Sequence, residues 1–223
     1  EPEFDEYVLP NTSHFNYCTD AFSIDLDSDG DMDILGASQN RSKLLWYENN
    51  GSESFAAPEI IALPAGVVSI YAIDVDGDGD MDVLSASGGD DKIAWYENDG
   101  EENFTERVVS TSADVARSVY ADDIDGDGDI DVLSASRDDD KIAWYENDGN
   151  ENFTAHIISI SADSAQDVYA KDIDGDGDMD ILSASSLDNK IAWYENNGDE
   201  NFTERVISTS AVGANSVYSI DLD

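Results

Sequence analysis

Aspartate occupies alternate positions of a nine-residue segment, Asp-x-Asp-Gly-Asp-Gly-Asp-x-Asp, best seen at residues 74–82. That spacing is metal-ligand chemistry. Alternate residues of a tight loop turn their carboxylates inward, and a hard cation such as Ca²⁺ takes about six to eight oxygens at ~2.3–2.6 Å. Positions one, three, five and nine are expected to ligate by side chain: Asp74, Asp76, Asp78 and Asp82. Position seven, Asp80, is expected to offer its backbone carbonyl, and Gly79 to make the sharp turn that a Cβ would hinder. The same assignment gives Asp25, Asp27, Asp29 and Asp33 with the carbonyl of Asp31. It gives Asp123, Asp125, Asp127 and Asp131 with the carbonyl of Asp129. It gives Asp172, Asp174, Asp176 and Asp180 with the carbonyl of Asp178. Asp221 and Asp223 begin a fifth, incomplete loop. The first loop carries Ser28 where the others have Gly, which changes no ligand.

Four carboxylates converging without a cation repel one another, so a metal-free acidic turn is the weaker reading. An all-oxygen set without His or Cys points to Ca²⁺, against zinc or copper; Mg²⁺ demands stricter octahedral geometry. Four complete sites are expected. An EF-hand opens with the same alternation but needs a bidentate Glu at loop position twelve, where this chain has Gly36, Ser85, Ser134 and Ser183.

The loops recur every 49 residues, and Trp46, Trp95, Trp144 and Trp193 keep the same interval. A period of this length signals a repeat architecture. Loop to loop, the repeats are 25–73, 74–122, 123–171 and 172–220, with partial units at both ends of a single domain or fragment. In one unit, strands are predicted at Ser118–Asp122, Asp131–Ser136, Lys141–Glu146 and Phe153–Ser159, separated by turn-rich segments. No 3.6-residue period is sustained, so essentially no helix is expected. The fold class is therefore all-β: propeller blades of four antiparallel strands, stacked face to face with Trp and Leu between them. An outer strand at Phe4–Leu9 and a first strand at Ser216–Ile220 are expected at the ends. Four blades rarely close a ring, so the chain is expected to be an arc of a larger propeller, with seven blades in view, cut at both ends from a longer protein.

The chain sets 52 Asp and Glu against 10 Lys and Arg, a formal net charge of −42 over 223 residues. Nucleic acid is a poor partner for that surface, as is an anionic membrane. No apolar run approaches a membrane span. Four divalent ions would offset only part of the charge. The single cysteine, Cys18, excludes an intrachain disulfide and is expected to be a small buried hydrophobe.

The Asp loops, together with the recurrent Trp-Tyr-Glu-Asn-Asn/Asp-Gly segment, resemble FG-GAP (VCBS-type) repeats and are similar to the Ca²⁺-bearing blades of integrin α-subunit propellers. The resemblance covers nearly the whole chain. It implies that the metal loop joins the first and second strands of a blade. It also implies an extracellular or cell-surface protein, here expected to be bacterial, of a kind used in adhesion or carbohydrate binding. The Phe-Gly and Gly-Ala-Pro signatures are largely absent: the first repeat has Gly36-Ala37-Ser38 and the others Ser-Ala-Ser.

Trp and Tyr alternate along their strand, so at least one must pack between blades. His14 and His156 occupy non-equivalent positions, and no Ser/His/Asp grouping or Gly-rich phosphate loop appears. The Asn-Phe-Thr sequons at Asn103, Asn152 and Asn201 read as turn chemistry before the fourth strand. Loops and Trp strands barely vary between copies. The turns Gln39–Ser42, Gly88–Asp91, Arg137–Asp140 and Ser186–Asn189 do vary, as do Val68, Arg117, Gln166 and Asn215 just before each first strand. Strands run up and down, so these variable sets share the face opposite the Asp loops. Arg117 and Arg137 are the candidate ligand residues there. The expectation is a non-enzymatic, calcium-binding module for an unidentified protein or glycan, with calcium in a structural role. The alternatives are a non-catalytic scaffold part of a secreted polysaccharide lyase or hydrolase, and a surface-protein spacer.

Overall fold

The structure, a computed structural model, describes residues 17–51 and 54–221. It contains sixteen strands in four antiparallel sheets of four, one sheet per repeat, each in chain order. The first sheet is β1 (Cys18–Ile24), β2 (Asp33–Ser38), β3 (Lys43–Tyr47) and β4 (Glu59–Ala62). The second is β5 (Val67–Ile73), β6 (Asp82–Ser87), β7 (Lys92–Asn98) and β8 (Phe104–Ser110). The third is β9 (Ala116–Asp122), β10 (Asp131–Ser136), β11 (Lys141–Asn147) and β12 (Phe153–Ser159). The fourth is β13 (Ala165–Lys171), β14 (Asp180–Ser185), β15 (Lys190–Asn196) and β16 (Phe202–Ser208). The predicted strands of the third repeat fall within one or two residues of these. Helix among the described residues is limited to one 3₁₀ turn at Gln39–Arg41.

The first strands β1, β5, β9 and β13 pack side by side in chain order, and the sheets succeed one another without closing a ring. Both faces of a middle sheet meet another sheet, which is why β6 and β10 are buried along their whole length. Each interface repeats one pattern: the Trp face of one sheet packs on the Ala/Tyr face of the next. Leu84, Ala86, Ile93 and Trp95 meet Val119, Ala121, Ala143 and Tyr145; in the next interface Trp144 meets Ala192 and Tyr194. In the second sheet both aromatics of the Trp-Tyr pair are thus interior, Trp95 being 0% and Tyr96 2% exposed, so neither offers a sugar-stacking platform; Trp193 of the last sheet is half-buried, with Arg205 over its ring. Phe153 and Phe202 set their ring edges on Trp95 and Trp144 at 6.5 and 6.2 Å. Removing one such indole would cost about 3–5 kcal/mol.

A bulge near the start of β5, β9 and β13 breaks the ladder, and the neighbouring sheet takes up the donors beside it. Ile70 N–H donates to Asp20 (2.9 Å), Val119 N–H to the Ser69 hydroxyl (3.4 Å) and Val168 N–H to the Ser118 hydroxyl (3.4 Å). The first strands carry an aromatic stack, Phe22, Tyr71, Tyr120 and Tyr169, which Tyr218 beyond β16 extends, with centroids 4.8–5.2 Å apart.

Two expectations are corrected. Ser216–Ile220 is not a strand: Val217 N–H goes to Asp167 (2.9 Å) and Tyr218 stacks on Tyr169, but no ladder partner lies beside them. Cys18 is exposed, because it opens β1 at the sheet edge, where its thiol donates to the Asp20 carbonyl (3.3 Å). The expected strand at Phe4–Leu9, His14 and Asp223 lie outside the described residues.

Candidate metal centres

Each Asp loop links the first and second strands of its sheet. In the first three, the carboxylates of positions one, three and five converge: Asp25/Asp27/Asp29, Asp74/Asp76/Asp78 and Asp123/Asp125/Asp127, with one oxygen of each within 4.8 Å of the others. In the fourth the converging set is Asp172, Asp174 and Asp180, positions one, three and nine. Backbone donors hold the geometry. Asp74 accepts the N–H groups of Gly77 (2.8 Å) and Gly79 (3.0 Å), while Asp78 accepts that of Asp80 (2.9 Å). Gly77 and Gly79 need their freedom, with φ of 74° and 101°. Burial, then the neighbouring carboxylates, pushes the pKa of Asp76 and Asp125 upward.

Three features fit a bound cation. The donors are all oxygen. Like charges are brought together without a described counter-charge among them. Oδ1 of Asp25 is buried without a hydrogen-bond partner, an orphaned acceptor that a metal would satisfy. Position seven fits its expected carbonyl role, because the Asp80 side chain leaves the cluster. It lies against Gly100 of the next turn, whose Cα leaves room that a methyl group would take.

Position nine has a second role that spacing alone did not reveal. Asp82 is fully buried and accepts Val75 N–H (3.0 Å) and Asn98 N–H (2.8 Å), tying the loop to the end of β7. Asp131 repeats this with Ile124 (3.1 Å) and Asn147 (2.7 Å), and Asp180 with Ile173 (3.0 Å) and Asn196 (2.8 Å). In the first sheet Trp46 also donates its indole N–H to Asp33 (2.9 Å). In the other three the indole approaches the equivalent carboxylate and lowers its pKa, without reaching hydrogen-bond geometry. Burial outweighs these donors and pushes Asp82 and Asp131 up to about 7, and Asp180 upward.

The sequon asparagines are turn residues: Asn103 and Asn152 donate their side-chain amides to Asp99 and Asp148 (3.0 and 3.1 Å). His156 stands where β8 has Arg107 and β16 has Arg205; it stacks on Trp144 (4.7 Å) and bonds Glu146 (2.7 Å).

On the opposite face the linkers are clamped by residues whose signal in sequence is only their interval. Asp91, Asp140 and Asn189 sit at positive φ and accept the N–H groups of Val115 (2.9 Å), Ser164 (2.9 Å) and Gly213 (3.1 Å) through their side chains. The candidate ligand residues share this face but differ in state. Arg137 pairs with Asp138 at 2.6 Å. Arg117 is half-buried and donates to the neutral Gln166 (3.2 Å). It borders a recess of about 410 Å³ where the starts of the first strands converge.

A family model for the FG-GAP-like repeat matches residues 25–85, 74–134, 123–183 and 172–223. No curated protein matches the chain by sequence. Among solved structures, an Agrocybe aegerita lectin that recognises non-reducing terminal N-acetylglucosamine is 19% identical, with a TM-score of 0.58, over 85% of this chain and 53% of its own. The V. cholerae biofilm matrix protein Bap1 is 19% identical, with a TM-score of 0.57, over 88% of this chain and 29% of its own. A Bacteroides uniformis protein described as a candidate 6-phosphogluconolactonase is 15% identical, with a TM-score of 0.58, over 85% of this chain and 55% of its own. The chain thus spans about half or less of these proteins, and at such identities the likeness concerns the propeller fold alone.

Proposed function

The chain belongs to the FG-GAP-like repeat family, and from that premise we propose that it is a calcium-stabilised segment of a propeller that serves outside the cell as a non-catalytic binding or adhesion module. The carrying observation is the fourfold convergence of loop carboxylates beside a buried position-nine aspartate. Residues of positions one, three, five and nine would hold Ca²⁺ by carboxylate, and position seven by carbonyl. Calcium's contribution is structural: it cancels repulsion inside each loop and joins the inner strand of a blade to its neighbour.

The face opposite the loops is the proposed recognition surface. It carries the variable turns, and its axial recess gathers residues that differ from one blade to the next. A lectin and a biofilm matrix protein among the structural relatives support an extracellular binding role. The test is thermal unfolding in EGTA and after Ca²⁺ is restored. A ligand that binds only the folded state stabilises it by about 2.7 kcal/mol per site at a hundredfold excess over Kd. EGTA is therefore expected to lower Tm and Ca²⁺ to recover it, and equal Tm values would remove the metal assignment.

A further inference from the structure

The axial recess contains an arginine without a carboxylate partner in a chain of net charge −42. Among the described residues Arg41, Lys43 and Lys171 form no ion pair, whereas Arg107, Arg137 and Arg205 pair with acids, as do Lys92, Lys141 and Lys190. Arg117 does not, although Asp20 and Asp167 line the same recess. Acceptor capacity explains why Asp167 is not its partner. A carboxylate has about four lone-pair sites. Asp167 uses Oδ1 for the Ser118 hydroxyl (2.8 Å) and Val168 N–H (3.1 Å). Its Oδ2 takes the Ser216 hydroxyl (2.7 Å) and Val217 N–H (2.9 Å). Arg117 spends its Nε on Gln166, so its terminal nitrogens are the unspent donors. Burial and the nearby Arg137 both push its pKa down, as expected of a guanidinium short of counter-charge.

The rest of the rim suits hydroxyl groups. Asp20 accepts Ile70 N–H and Ala21 N–H, both at 2.9 Å, has the Ser69 hydroxyl beside it as a further donor, and keeps one acceptor site. Gln39 and Asn215 add amides, and Val68 is the one aliphatic hydrocarbon side chain in the lining. A guanidinium fork pairs with a carboxylate through two parallel hydrogen bonds. The volume falls within the range of small-ligand sites.

We propose that this recess binds one carboxylate-bearing sugar, with Arg117 holding the carboxylate and Asp20, Gln39 and Asn215 the hydroxyls. The inference rests on the opposite face being the recognition surface, and it narrows the ligand to acidic glycans. One site per chain is implied, because the slot of Arg117 holds Thr19, Val68, Gln166 and Asn215 in the other units.

The test uses the Ca²⁺-loaded chain and three probes: methyl β-D-glucuronoside, methyl β-D-glucoside and N-acetylglycine. Binding is followed by amide chemical shifts and by titration calorimetry. The glucuronoside is expected to bind one to one and to shift Ser118 and Gln166. Arg117→Gln, a side chain the fold already accepts at Gln166, is expected to leave Tm unchanged and weaken binding about tenfold or more, the scale of a lost charged hydrogen bond. Arg117→Lys keeps the charge without the fork and is expected to fall between. Wild-type affinity in Arg117→Gln overturns the proposal, as does glucoside binding as tight as glucuronoside. Equal binding of N-acetylglycine would assign the recess to peptide carboxylates and also overturn it. A ligand that shifts only Asp-loop residues would remove the recognition face itself. One that shifts the variable turns but not Ser118 or Gln166 would remove the recess alone.

Discussion

Replacing Asp131 with Asn tests how the buried position-nine carboxylate works. Asp131 is 0% exposed and accepts two backbone N–H groups. Asn keeps one acceptor oxygen and presents its amide NH₂, a donor, to the other N–H. One buried donor then lacks a partner, at a cost of about 1–3 kcal/mol. The charge acts in the other direction. Burial raises Asp131 to about 7 in the folded chain, against roughly 3.9 when unfolded. The folded state therefore binds the proton more tightly. In cation-free buffer its contribution is fully present below pH ~4 and is lost as pH rises through the folded value, at about 1.4 kcal/mol per pH unit. From pH 5.5 to 7 that amounts to about 2 kcal/mol. Ordinary carboxylates are already ionised in this window, and Asp82, with the same shift, contributes equally to both chains. Urea unfolding in EGTA at several pH values, followed by tryptophan fluorescence, should show the wild type's advantage at pH 5.5 shrinking by about 2 kcal/mol by pH 7. With saturating Ca²⁺, which holds the carboxylate ionised, the gap should stay constant. A pH-independent gap in EGTA would refute the argument.

Two further outcomes separate roles within one repeat. Asp125→Ala is expected to reduce the number of bound Ca²⁺ by one in equilibrium dialysis, whereas Asp129→Ala is expected to retain it, since position seven offers its carbonyl and turns its side chain to Gly149. Asp140→Ala removes the acceptor of the buried Ser164 N–H (2.9 Å) from a residue at positive φ, so chemical denaturation should register a loss of about 1–3 kcal/mol; Asp140→Asn, matching Asn189 in the next repeat, should lose little.

Much of the fold was legible because the sequence repeats it four times. A strictly kept 49-residue interval fixes one unit, and β-branched runs bounded by Asp/Gly turns mark its strands. The loop carboxylates were legible because alternate positions of a tight loop face inward by local geometry. Their division of labour was legible only in part. Position seven turning outward follows from the same local alternation. The joint duty of Asp82, as loop carboxylate and as acceptor for Asn98 N–H sixteen residues on, depends on where β7 docks.

Spacing also could not say which aromatics are buried, since Trp95 and Tyr96 point to opposite faces and both faces are covered only once blades stack. Cys18 was misjudged for the same reason: its apolar character says nothing about lying at the exposed start of β1. The Asp loops are thus a property of the chain, because each closes on itself within nine residues. The recess at Arg117 belongs to the tertiary structure alone. Asp20, Arg117, Gln166 and Asn215 are far apart in sequence and meet only because successive first strands turn about one axis. There the donors of β9, of β13 and of Ser216 and Val217 occupy Asp167 and leave Arg117 without a counter-charge.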